Sequence, residues 1–182
     1  MKLKKGKVLL IGNSDGIGLA TTKELLKQEW EVIGISRSES PIKDSLYQHF
    51  IAKVQDDEFL TILKSIIQEN KSINLCIYCA GIGELLDPSN MKSEVEIIEV
   101  NLLGMVKTAS QVIPLMVRQG NGHFIGISSV ADELLSSEAP SYHASKAGFS
   151  NYLESLALAL KPTGVHVTNL RLGFVQTKMA KG

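Results

Sequence analysis

KVLLIGNSDGIGLA, Lys7 to Ala20, joins four apolar residues, Val8 to Ile11, to a turn carrying Gly12, Gly16 and Gly18, and then opens an amphipathic segment. A strand that runs straight into glycines and then a helix brings backbone N–H groups and the positive end of a helix dipole to one point, which suits a pyrophosphate. Gly12, Ser14, Asp15, Gly16, Ile17 and Gly18 are therefore candidate dinucleotide-binding residues. The glycine spacing differs from G-x-G-x-x-G, and no Lys-Ser or Lys-Thr follows the last glycine, so a P-loop is excluded.

Outward from this turn the pattern repeats. Runs rich in Val and Ile, at Lys7–Ile11, Glu31–Ser36, His49–Val54, Ile73–Cys79, Gly122–Ser128 and Val165–Leu170, read as strands buried on both faces. Between them, Gly16–Gln28, Asp56–Glu69, Ser93–Arg118 and Tyr142–Leu160 carry helical spacing, the third expected to be distorted or broken where Gly104 and Pro114 fall. This alternation predicts an α/β fold, a doubly wound Rossmann-type parallel sheet of about six strands with helices on both faces. No linker or repeat divides the 182 residues, so one domain spans residues 1–182.

Nineteen basic residues balance nineteen acidic ones, which gives no field to attract nucleic acid or an anionic membrane. No uninterrupted apolar run approaches the roughly 20 residues of a membrane span, and a soluble, cytoplasmic protein is expected. Cys76 and Cys79 have C-x-x-C spacing, but on a strand they face opposite ways, and His49, His123, His143 and His166 are scattered. Two free thiols and no metal site are expected.

The second strand ends in Ser36 and Arg37, with no carboxylate to take the ribose hydroxyls of NAD and with a guanidinium suited to a 2′-phosphate. NADP is favoured over NAD. Further along, Ser128 and Ser129 precede Tyr142, and Lys146 follows one helical turn later on the same face. An ammonium near a phenol, which ordinarily titrates near ~10, favours the phenolate and eases proton exchange.

With these motifs together the chain resembles the short-chain dehydrogenase/reductase family, from Gly12 to Thr177. The resemblance rests on Gly12, Gly16 and Gly18 (Ile11 replacing a Thr), on Cys79-Ala80-Gly81 for an Asn-Ala-Gly, and on Asn101, Ser129, Tyr142 and Lys146. It continues through Leu172, Gly173, Val175 and Thr177, with Leu172 replacing a Pro. It implies a reductase, or the reverse dehydrogenase, acting on a carbonyl or alcohol of a small molecule. In that reading Ser129 holds the substrate oxygen, Tyr142 exchanges its proton, Lys146 binds ribose and lowers the Tyr142 pKa, and Asn101 holds a relay water.

Ala80, Gly81, Gly173, Val175 and Thr177 join the glycine turn, Arg37, Tyr142 and Lys146 as cofactor-binding candidates. The resemblance further implies a homodimer or homotetramer paired through the long helices. Relatives continue past this point into a substrate-covering segment, a helix and a seventh strand, so that C-terminal part of the fold is expected to be absent. Lys53 replaces an Asp common near the adenine, and Asp132 replaces a common Gly and is expected to face water. Leu134, Leu135, Ala139 and Pro140 would wall the cleft. The rival function is a catalytically silent dinucleotide-binding protein of the same fold.

Overall fold

The computed structural model describes residues 6–175. Six strands, β1 (Lys7–Ile11), β2 (Glu31–Ser36), β3 (Tyr47–Ile51), β4 (Leu75–Tyr78), β5 (Gly122–Ser129) and β6 (Val165–Leu172), form one sheet in the order β3-β2-β1-β4-β5-β6. Every pairing is parallel; Ile11 lies level with Ile35 on one side and Tyr78 on the other. Parallel neighbours require crossovers; the helices α1 (Gly16–Lys27), α2 (Asp57–Glu69), α3 (Lys92–Ile98), α4 (Gly104–Gln119) and α5 (Pro140–Leu160) provide them, except between β2 and β3, which the non-helical residues 37–46 connect.

Because strand side chains alternate, the sheet has two cores. Leu9, Ile11, Cys76, Tyr78 and Phe124 meet Phe59 and Leu63 of α2, Val112 and Met116 of α4, and Phe149 and Leu153 of α5. Val8, Leu10, Val32 and Ile77 meet Leu26 of α1 in a smaller cluster on the opposite face. Cys76 belongs to the first and Cys79 borders the second, so the two free thiols do face apart.

Several boundaries differ from the sequence reading, three of them with a visible cause. The third strand pairs over Tyr47–Ile51, not His49–Val54; Ala52 and Val54 are buried, which extends the apolar alternation past the end of the ladder. The fourth begins at Leu75 because both backbone groups of Ile73 bond the Gln119 side chain at 3.0 and 3.1 Å. The long helix changes pitch at Glu99–Leu103, a π-helical turn just before Gly104, while exposed Pro114 lies inside an unbroken α4. That turn has a partner in the sheet, since Tyr78 Oη donates to the Val100 carbonyl at 2.5 Å. The helical run Lys92–Gln119 is long enough, and over an 18-residue window apolar enough, to match a membrane span by length and composition, but charged residues interrupt it and half of that window is buried within the protein.

Candidate active site

In a parallel sheet all strands end along one edge, and the sequence candidates follow those ends. Gly12 follows β1, Arg37 follows β2, Ala80 and Gly81 follow β4, Ser129 ends β5, and Gly173 and Val175 follow β6. Between β1 and β4 the strand order reverses, opening the crevice in which doubly wound folds bind ligands.

The glycine turn occupies that crevice. Gly12 has φ +87° and donates to Ile35 C=O at 2.8 Å. Asp15 caps α1, accepting from Gly16 N–H at 2.8 Å, with Gly16 and Ile17 half-buried and Gly18 buried behind it. Ser14 is reached from the end of β2: Ser38 Oγ donates to Ser14 Oγ at 3.0 Å, and Arg37, between Ser36 and Ser38, is exposed. Lys53 is exposed as well.

The second cluster gathers where β4, β5, α4 and α5 meet. Ser128 is buried against α5, its Oγ 2.8 Å from Ser150 Oγ, whereas Ser129 lies on the other face and its Oγ accepts from Ala131 N–H at 3.2 Å. This alternation separates the two serines and leaves Ser129 half-exposed at the strand end. On α5, Lys146 turns inward: it is 6% exposed and its Nζ donates to Ile127 C=O at 3.0 Å, lying 5.9 Å from the centre of the Tyr142 ring. Burial pushes the Lys146 ammonium down to about 8, opposed by charge from Cys79 and Asp132. Burial also pushes the Cys79 thiol up to about 11, so Cys79 is still neutral while Lys146 titrates and the effective countercharge is Asp132.

Asn101, fully buried in the π-turn, uses its amide as a brace. Oδ1 accepts from Ile82 N–H at 2.8 Å, and Nδ2 donates to Ile82 C=O at 2.9 Å and to Ser145 Oγ at 3.0 Å. Ser145 Oγ donates in turn to Tyr142 C=O at 2.7 Å, and the Tyr142 ring lies against Gly83. Both amide hydrogens of Asn101 are thus spent on protein partners. Gly173 and Val175 are exposed beyond β6, and Thr177 lies outside the described residues. Leu134, Leu135 and Pro140 border an open depression with Asp132, Glu133 and His143; Ala139 is half-buried beside them.

Two site features escaped the sequence reading. Asp132 does not face water: its side chain is 4% exposed, accepting from Arg171 at 2.6 Å and from Ser150 Oγ at 2.5 Å. The partners lie 18 and 39 residues away, so no local pattern announces them; only the unusual carboxylate marked the position. Glu94 of α3 accepts from the backbone N–H and hydroxyl of Ser141, holding the first turn of α5 next to Tyr142. A carboxylate at a helix N-terminus is favoured by the dipole, but one arriving from another helix leaves no capping signature in the sequence.

Comparison with known proteins agrees with this architecture. Residues 6–182 match the short chain dehydrogenase family. The 3-oxoacyl-[acyl-carrier-protein] reductase FabG of Buchnera aphidicola is 30% identical over 190 residues, covering 100% of this chain and 78% of that protein. Among solved structures, a short chain dehydrogenase from Burkholderia cenocepacia in complex with NADP superimposes with TM-score 0.88 at 19% identity, covering 100% of this chain and 77% of that one. Another, from Leptospira borgpetersenii with bound NAD+, gives 0.87 at 21% identity, covering 98% and 75%. The chain is therefore shorter than these relatives, and its glycine turn, its strand order and its Ser-Tyr-Lys spacing lead to one conclusion: it belongs to the short chain dehydrogenase family.

Proposed function

We propose that the chain is an NADP(H)-dependent oxidoreductase that moves hydride between nicotinamide and the carbonyl or alcohol carbon of a small organic molecule, with Tyr142 as acid and base. The observation that carries this reading is the buried Lys146 ammonium, fixed on Ile127 C=O beneath the Tyr142 ring, with Asn101 tying α5 to the loop after β4.

The residues present suit a dinucleotide. The crevice at Gly12, the N-terminus of α1, and the Ser14, Arg37 and Ser38 donors offer a diphosphate and a ribose phosphate what they need, and no carboxylate stands between Ser36 and Ser38. Solved relatives of this fold hold NADP in one case and NAD+ in another; Arg37 favours the former. The nicotinamide, when bound, supplies or takes the hydride. The remaining work belongs to the chain. Ser129 Oγ orients the substrate oxygen, Tyr142 Oη gives that oxygen a proton during reduction and recovers it during oxidation, and the fixed charge of Lys146 stabilises the phenolate left behind. Exposed apolar residues on the π-helical turn, α4 and α5, namely Leu103, Val117 and Leu158, support a homodimer or homotetramer.

The test is a fluorescence titration with NADPH and NADH, followed by a panel of carbonyl substrates. NADPH is expected to bind more tightly, Arg37→Ala to remove that preference, and Tyr142→Phe to lower turnover by about 100-fold or more while cofactor binding persists. Failure to bind either nucleotide overturns the reading.

A further inference from the structure

Behind the loop that carries Arg37 runs a hydrogen-bonded chain that the chemistry above does not use. It starts at Asn13 in the glycine turn, wholly buried, whose Nδ2 donates to Tyr47 Oη on β3. Asn13 reaches β3 by crossing β2 at Gly34, where an added Cβ would sit 2.0 Å from that nitrogen; this accounts for a glycine in mid-strand. Tyr47 Oη meets His49 Nδ1 at 2.9 Å, and His49 Nε2 meets the Ser38 carbonyl at 3.0 Å.

The direction of each bond follows from donor chemistry. A carbonyl only accepts, so His49 Nε2 carries hydrogen; Nδ1 of the neutral ring is then bare and accepts from the Tyr47 hydroxyl. Burial pushes the Tyr47 phenol up, which keeps it a hydroxyl donor. The two rings stack, with centroids 5.8 Å apart and planes 30° apart. At the far end Ser36 Oγ also donates to Ser38 C=O at 2.8 Å, and Ser38 Oγ closes the circuit on Ser14 Oγ at 3.0 Å. Ser38, the residue after Arg37, is thereby tied from β3 and from the glycine turn, and Ser36, the residue before it, closes onto the same Ser38 carbonyl.

We propose that Tyr47 and His49 are positioning residues for cofactor choice: the Asn13–Tyr47–His49 relay fixes Ser38, and so holds Arg37, Ser38 and Ser14 converged for a ribose 2′-phosphate. The inference rests on the NADP reading above. Its physical basis is preorganisation. A guanidinium on an untethered loop must lose its freedom each time a phosphate binds, whereas a tethered one has lost it on folding. NADH carries no 2′-phosphate, so its affinity does not depend on the tether.

The experiment measures Kd for NADPH and NADH, at one pH and ionic strength, in wild type, Arg37→Ala, Tyr47→Phe, His49→Ala and His49→Gln. Tyr47→Phe deletes one oxygen and His49→Ala the whole link. Both are expected to weaken NADPH by about tenfold, the scale of one lost bond, with NADH changed less than about twofold. Retained NADH binding also reports that each variant has folded. His49→Gln keeps a donor in place for Ser38 C=O and is expected to recover most of the preference. A wild type that prefers NADPH and loses that preference in Arg37→Ala, but keeps it in Tyr47→Phe and His49→Ala, overturns the relay alone. A wild type without any preference for NADPH overturns the phosphate reading and the relay with it.

Discussion

Asn101 holds Ile82 as one strand residue holds another, taking its N–H at 2.8 Å and giving to its C=O at 2.9 Å. The side chain thereby substitutes for a strand at a point where β4 has already ended, and the next residue, Gly83, is the one against which Tyr142 rests. Asn101→Ala leaves those backbone groups without partners and removes the donor to Ser145 Oγ, which keeps only its own bond to Tyr142 C=O. The expected loss is roughly 2–3 kcal/mol in urea unfolding, together with lower turnover. Asn101→Asp keeps the acceptor but not the donors, and is expected to fall between. Wild-type stability in Asn101→Ala would sink the bracing role.

Lys146 makes stability depend on pH in the alkaline direction. Its folded pKa, about 8, lies below the ordinary 10.5, so the folded state holds that proton less tightly than the unfolded chain. The cost of burying the charge is therefore complete below about pH 8, shrinks as pH rises towards 10.5, and is gone above it. Lys146→Met is expected to be more stable than wild type at pH 7, by roughly 1–3 kcal/mol, with the gap closing between pH 8 and 10.5. Thermal unfolding across that range checks it; a gap independent of pH would show that the charge is not the cause. The same variant should lose turnover at every pH, which separates the function of the ammonium from its cost.

The parts of this site that the sequence makes legible are local. Gly12, Gly16 and Gly18 are adjacent to a strand and open a helix, and Tyr142 and Lys146 lie four apart on one helix, so periodicity alone places them. What connects them is not local. The Asn101–Ile82 pair spans 19 residues, the Asp132–Arg171 pair 39 and the Asn13–Tyr47 pair 34. Each depends on parallel strands bringing remote loops to one edge, a consequence of topology that composition does not encode. The distortion at Glu99–Leu103 is legible from Gly104, but its partner is not: the Val100 carbonyl is satisfied by Tyr78, 22 residues earlier, on β4.

Asp132 and Arg171 should be coupled more strongly than surface ions. Burial pushes the Asp132 carboxyl up, but the hydrogen bonds from Arg171 and Ser150 and the Arg171 charge outweigh it and hold the group below the usual carboxylate range. The stabilisation is present at neutral pH and is lost as pH falls through that depressed value. Asp132→Asn is expected to be less stable than wild type at pH 7, with the difference shrinking below about pH 4. A double-mutant cycle with Arg171→Leu, read by urea midpoints at pH 7, should give a non-additive pair. Additive losses would mean that the ion pair, 2.6 Å long, contributes nothing of its own.

Two glycines at the same sheet edge make opposite predictions. Gly12 combines a positive φ of 87° with a position where a Cβ would lie 2.4 Å from Ala80 N, so the turn presses backbone to backbone on the segment leaving β4. Neither atom belongs to a flexible side chain that could move aside. Gly12→Ala is therefore strained twice, by its dihedral and by its contact, and is expected to lose roughly 2 kcal/mol or more of stability and most dinucleotide affinity. Gly173, after β6, has nothing among the described residues within 4 Å of an added Cβ, and its φ is unremarkable for an L-residue. Gly173→Ala should leave the unfolding midpoint within error of wild type. Any loss of NADPH affinity in that variant then reports contact with the cofactor and not a damaged fold, which makes unfolding and titration together the measurement that separates the two glycines. Equal destabilisation by both substitutions would contradict the close approach of Gly12 to Ala80.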